Sequence, residues 1–285
     1  MLTVRQLEQL LFDVFPVKDA THEDRIGLFV GDPDEEVKAI ALALDAKVAD
    51  IEAAAAEGCN VLVTHHPVYW IPPTEFLARG ASAGASIYYA AKLGVALINM
   101  HTNLDSAPAA REMLLGPAGY TYSSPIAIPS ELDSELQERE EKSASILIEI
   151  AEAISPVAAL GQLGIPAGDT ISTLGEIAAR YKETFGALAK VWGNPDKPIR
   201  LLATCSGSGG SLISRVIDSG ADCYVTGEVA YHEALELAHF GIALIELGHD
   251  RSELPYRRYL YQTLVSLGID ESIIRVIEPT ASWWD

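Results

Sequence analysis

The sequence has few cysteines, little positive charge and no long apolar run, and each shortage narrows what the chain can be. Cys59, Cys205 and Cys223 are odd in number and contain no C-x-x-C pair. They make neither a disulfide framework nor a thiolate zinc site, and are expected to be reduced core residues of a cytoplasmic protein. Lys and Arg number 20 against 40 Asp and Glu, a formal net charge of −20. Phosphate backbones and anionic membranes need a cationic face, so nucleic acid and membrane are not expected partners. A small anionic ligand or a metal ion answers to local charge and stays open. No stretch approaches the roughly 18 apolar residues of a membrane span. The opening MLTVRQLEQLLFDVF is broken by Arg5, Glu8 and Asp13, unlike the apolar core of a signal peptide.

What is present is a repeated alternation of helical and extended patterns. Apolar residues over 2–15 recur at helical spacing behind Thr3, a natural N-cap. Short apolar runs at 37–44, 60–64, 95–99, 199–204, 222–226 and 242–246 read as buried strands. Helical patterns lie at 46–57, 86–93, 173–189, 212–219, 231–240 and up to about 267, and 273–277 reads as an edge strand. Continuous apolar strands separated by helices imply an α/β fold with mostly parallel sheets. Residues 116–170 are less regular. Gly116, Pro117, Gly119, Pro125 and Pro129 suggest loops, 161–171 also reads as a loop, and the strongly acidic 130–152 reads as an exposed, solvated helix. The expected division is a first α/β lobe at 1–115, a variable acidic connection at 116–160 and a second α/β lobe at 161–285, whose last elements can return to the first. The halves echo each other: GCNVLVT at 58–64 resembles GADCYVT at 220–226, and GVALIN at 94–99 resembles GIALIE at 241–246. An ancestral duplication explains this, although βα units share such patterns.

In an α/β sheet, ligands bind beyond the C-terminal ends of the strands. His65, His66, His101, Asp105, His249 and Glu253 all follow predicted strands, and His101/Asp105 and His249/Glu253 share one spacing. Histidine with carboxylate is the donor set of zinc, iron or manganese. Side chains of adjacent residues in an extended chain diverge, so His65 and His66 suit two neighbouring ions better than one. Pro67 keeps His66 out of the helical region. His249 and Glu253, one helical turn apart, share a face, where a glutamate can bridge two metals. His101 reads as a ligand or as a group orienting one, with the second favoured. Glu228 and His232 can handle protons or substrate, or cap the next helix. Ser206, Gly207, Ser208, Gly209 and Gly210 form a loop that either cradles a phosphate or simply turns tightly; no Walker lysine accompanies it. His22 and His239 read as surface or packing residues.

The blocks VLVTHHPVYW, HTNLDSAP, TGEVAYHEAL and ELGHDRSE resemble those of the Nif-three-like family, also described as dinuclear metal-centre proteins or GTP cyclohydrolase I type 2 homologues. GLFVGDP and CSGSGG resemble further blocks, and the likeness covers about 1–115 and 160–260. It implies two α/β lobes with two divalent ions between them at the strand ends, and a homo-oligomeric, commonly hexameric ring. By that resemblance His65 and Asp105 would hold one ion, His66 and His249 the other, and Glu253 would bridge. Asp250 departs from the aromatic residue often found there. The implied activity is metal-dependent hydrolysis through a bridging water, with GTP or a related nucleotide as the suggested substrate. Nothing in the residues reads guanine. The alternative is a non-enzymatic metal-binding or ligand-sensing ring acting through protein partners. The terminal aromatics Trp283 and Trp284 also favour an oligomer.

Overall fold

A computed structural model describes residues 1–127, 160–186 and 190–278. The acidic helix expected at 130–152 and the terminal tryptophans lie outside the described residues, as does the end of the helix expected at 173–189. The chain divides into two compact units, residues 1–104 with 256–285, and residues 105–255. The C-terminal elements from Tyr256 on belong to the first unit. No helix among the described residues is long and apolar enough to cross a membrane.

The first unit is built on a five-stranded sheet in the order β1 (Gly27–Val30), β4 (Ala96–Asn99), β3 (Val61–Thr64), β2 (Ile40–Ala43), β11 (Ile274–Val276). All pairs are parallel except β1 with β4. Every residue of β2, β3 and β4 is buried, which is why these runs show no polar alternation: helices cover both faces. Ile51, Ala54 and Ala90 from the helices Val48–Ala56 and Ala83–Leu93 pack with Leu62 and Leu97. The first helix, Val4–Val14, begins at Thr3 with a reciprocal cap. The Thr3 hydroxyl accepts from the Gln6 amide and the Gln6 side chain accepts from the Thr3 amide. Leu62 is fully buried at the centre of the sheet. Leu62→Ala should therefore cost about 2–5 kcal/mol, read as a lower urea midpoint; a loss under about 1 kcal/mol would mean the site collapses around the deletion.

The second unit holds a six-stranded sheet, ordered β5 (Tyr120–Ala127), β6 (Leu160–Pro166), β8 (Leu202–Ser208), β9 (Cys223–Glu228), β10 (Ala243–Glu246), β7 (Lys190–Trp192). Its centre, β8–β9–β10, is parallel, and antiparallel strands flank it on both sides. Tyr120, Leu174, Ile177, Tyr181, Leu202 and Val225 form one packed layer. The Tyr181 hydroxyl donates to the Leu114 carbonyl at 2.6 Å, tying the helix Leu174–Phe185 to the helix Glu112–Ala118.

Three sequence expectations need correcting here. The stretch 161–171, read as a loop, is largely strand β6. Its glycines are there for space: a Cβ on Gly164 would lie 2.5 Å from a Leu115 methyl, and one on Gly161 2.8 Å from Ile126. Residues 120–127 are strand β5, whose Pro125 is tolerated because β5 is the sheet edge. The 205–210 loop begins late, because β8 runs on to Ser208, with a register shift between Cys205 and Ser208.

Candidate metal centre

In the first unit the parallel ladder fixes three chain exits at one level. The His66 amide donates to the Leu44 carbonyl and the Met100 amide to the Thr64 carbonyl, each at 3.0 Å. Asp45 after β2, His65 and His66 after β3, and His101 after β4 therefore leave the sheet side by side. His65, His66 and His101 each offer a ring nitrogen within 4.8 Å of the others. His65 is fully buried and stacks on Tyr256, centroids 4.6 Å apart.

The tautomer of each ring follows from its partner. His65 Nδ1 lies 3.0 Å from the Met100 carbonyl, which can only accept, so Nδ1 carries the proton. His66 Nδ1 meets Asp45 Oδ1 at 2.9 Å and His101 Nδ1 meets Asp24 Oδ1 at 2.8 Å. Burial alone would raise both carboxyls, but the histidine contacts prevail. The His66 hydrogen bond, helped by Lys47, brings Asp45 down to about 2. His101 and the Thr102 amide and hydroxyl bring Asp24 below the usual range. Both stay ionised acceptors, so in each ring Nδ1 is committed and Nε2 is the nitrogen a metal would take. Metal-binding histidines show this arrangement.

The second unit repeats the construction. The Leu247 and Gly248 amides donate to the Thr226 and Gly227 carbonyls, each at 2.9 Å, so β10 delivers His249 beside the end of β9. Glu228, the last residue of β9, accepts from His249 Nδ1 at 2.9 Å. His249 Nε2 stands 3.3 Å from Glu253 Oε2, one turn along the helix His249–Glu253, and Glu253 is 4% exposed. Asp105 approaches the Ser206 hydroxyl, which lies 3.4 Å from its Oδ1.

The 206–210 loop packs around these side chains. The Gly207 amide donates to the Ser252 hydroxyl at 2.8 Å and the Gly209 amide to the Glu228 carbonyl at 3.1 Å, so two of the donors a phosphate cradle would use are taken internally. Gly207 has φ +62°, and a Cβ there would lie 2.2 Å from Glu253 Oε1. His232 stands exposed on the helix Tyr231–His239, and Glu233 rather than Glu228 caps that helix through the Ala230 amide.

The donors fit a divalent cation of borderline character. They are imidazole nitrogens and carboxylate oxygens, and no thiolate joins them: burial, reinforced by the Asp105 charge, pushes the Cys205 thiol up to about 12. The sequence reading missed Asp45 and Asp24. Asp45 carried the signal used for the histidines, since it directly follows the run 37–44. Asp24 follows no strand, and only the fold brings it to His101. Asp45→Asn should leave the fold intact and weaken metal binding about 10–100-fold, since His66 loses the group that fixes its tautomer. Chelator competition measures this; an unchanged affinity would remove His66 from the ligand set.

A family model described as Duf34/NIF3 (NGG1p interacting factor 3) matches residues 2–278. A Streptomyces coelicolor protein named GTP cyclohydrolase 1 type 2 homolog is 29% identical over 248 residues, covering 85% of this chain and 79% of that one. A Clostridium acetobutylicum protein of the same name is 27% identical over 281 residues, covering 96% and 95%. A Staphylococcus aureus hypothetical protein of solved structure superposes with a TM-score of 0.80 at 26% identity, covering 100% and 99%. A Bacillus cereus protein related to NIF3 gives 0.80 at 18%, covering 98% and 97%, a likeness of fold.

Proposed function

The chain belongs to the Duf34/NIF3 family, and from that premise we propose that it is a metal-dependent hydrolase. Its site would hold two divalent ions through His65, His66, Asp105, His249 and Glu253, with Glu253 shared by both. The supporting observation is the common orientation of the histidines: His65, His66 and His249 each have Nδ1 committed to a carbonyl or carboxylate, which makes Nε2 the nitrogen a metal would take. Bound there, zinc, iron or manganese would supply Lewis acidity and lower the pKa of water. The chain's own residues do the rest. Asp45 and Glu228 hold His66 and His249 in one tautomer and orientation. Tyr256 covers the His65 ring. Gly207 and Ser252 hold the backbone close against Glu253.

The names of the Streptomyces and Clostridium relatives point to a purine nucleotide, and GTP is the first substrate to test. Five protein donors for two ions leave positions for solvent, which favours catalysis over a closed structural site. The protein is further proposed to work in the cytoplasm as a homo-oligomer, with a hexameric ring as the form to test by light scattering. The experiment for function is metal stoichiometry on purified protein, followed by a hydrolase screen over nucleotides, phosphoesters and cyclic amides. Two ions per chain with turnover of one class supports the reading. Two ions without turnover moves it to a metal-binding or sensing role, and one ion or none removes the dinuclear centre.

A further inference from the structure

Beside the histidines of the first unit lies a set of residues that would not themselves hold a metal. Asp24-Arg25 and Tyr69-Trp70 are two dipeptides whose members pair with the same surroundings. Asp24 holds His101, and Trp70 packs against His101 with ring centroids 5.1 Å apart at 71°. Arg25 lies over the Tyr69 ring, 5.5 Å from its centroid, and Tyr69 is in turn steadied edge-on by Phe29 at 5.1 Å. Trp70 is 52% exposed, although an indole normally buries most of its surface.

Arg25 is the more informative residue. The chain has twice as many acids as bases, yet among the described residues no carboxylate forms an ion pair with this guanidinium. Its recorded side-chain contact is the Tyr69 face. The neighbouring carboxylate that would neutralise it, Asp24, is committed to His101, to the Thr102 amide and hydroxyl and to the Arg25 backbone amide. A half-exposed guanidinium set over an aromatic ring keeps N–H donors for a planar or tetrahedral anion. An exposed indole next to it offers a stacking face.

We propose that Trp70 and Arg25 form the recognition subsite of this centre, which takes a planar heteroaromatic ring bearing a phosphate or carboxylate: the ring stacks on Trp70 and the anion meets Arg25. The inference rests on the hydrolase reading for what is done to that ring, and its test separates the two. Wild type, Trp70→Leu, Trp70→Phe and Arg25→Gln are titrated by calorimetry with GMP, orotate, guanosine and ribose 5-phosphate, and the metal content of each variant is measured in parallel. GMP or orotate should bind wild type saturably. Trp70→Leu should weaken that ligand about tenfold or more, the effect of losing one aromatic stack, and Trp70→Phe should restore most of it. Arg25→Gln should weaken GMP by a similar factor and leave guanosine unchanged, while ribose 5-phosphate should not respond to Trp70. Full metal content in every variant keeps these losses apart from the metal site. Ring binding that follows Trp70 and Arg25 in a protein without metal or turnover would uphold the subsite and remove the hydrolase reading. No saturable binding of either anionic ring, or equal affinities in wild type and Trp70→Leu, overturns the subsite. So does a Trp70→Leu protein that changes oligomeric mass with unchanged affinities, because the exposed Trp70, Ile71, Phe76 and Leu77 would then be covered by a second copy.

Discussion

Glu253→Gln is expected to cost the proposed centre both of its metal ions, and with them any hydrolytic activity, at once. The side chain is 4% exposed and lies against the Gly207 backbone and 3.3 Å from His249 Nε2. Glutamine has the same size and fits the same space, so the far-UV circular dichroism should hardly move, and the thermal midpoint should fall only by the stabilisation that bound metal supplies. What changes is charge. A carboxylate shared by two cations offsets their mutual repulsion, which a neutral amide does not. The loss of affinity should exceed the roughly 100-fold limit seen for groups that merely orient ligands. His65→Ala is the contrast: it should weaken one ion and leave appreciable occupancy of the other. Metal analysis and anomalous scattering on the two variants decide the matter, and full occupancy of both ions in Glu253→Gln would end the shared-ligand assignment.

Gly207→Ala should be a strongly damaging single methyl in the second unit. Its φ of +62° already disfavours an L-residue, and the new Cβ would meet Glu253 Oε1 at 2.2 Å and His249 Nε2 at 3.4 Å. Backbone strain and overpacking together should remove about 2–5 kcal/mol and push Glu253 off its position, so metal is lost as well. Gly58→Ala is the control, with φ +76° and nothing within 4 Å of the added methyl. It should cost only the backbone part, about 1–2 kcal/mol, and leave metal content alone. Thermal melts with metal analysis measure both, and equal behaviour of the two variants would show that the crowding around Glu253 is relieved without consequence.

The legibility of this chain in its sequence follows its packing. β2, β3, β4, β9 and β10 are buried on both faces, so they stand out as unbroken apolar runs, and the histidines directly behind them were found by position alone. β5 and β6 were hidden because the residues they need look like loop residues: Pro125 at a sheet edge, and Gly161 and Gly164 where neighbouring side chains leave no room for a Cβ. The helix Glu112–Ala118 was hidden by its own Gly116 and Pro117. At the candidate metal centre the clustered histidines were legible and their supports only partly so. Glu228 was read as handling protons or substrate, or capping the next helix; the fold gives it His249. Asp24 is joined to His101 across 77 positions of sequence, a relation no local pattern encodes. The glycines of 207–210 were readable as a special loop, but their reason, close approach to side chains, lies in three dimensions.

The return of the C-terminal elements to the first unit sets an order of events during synthesis. Residues 105–255 are contiguous, so the second unit can close once they have left the ribosome. The first unit has to wait. Until the last thirty residues emerge, β2 has no neighbour on the side where β11 pairs with it, and Tyr256 is not yet stacked on His65. The histidines are therefore made early and finished late, with an open sheet edge beside them in the meantime. Nascent chains held short of residue 256 are the state in which this protein is most exposed to aggregation through that edge, and metal captured before release would meet an uncovered His65.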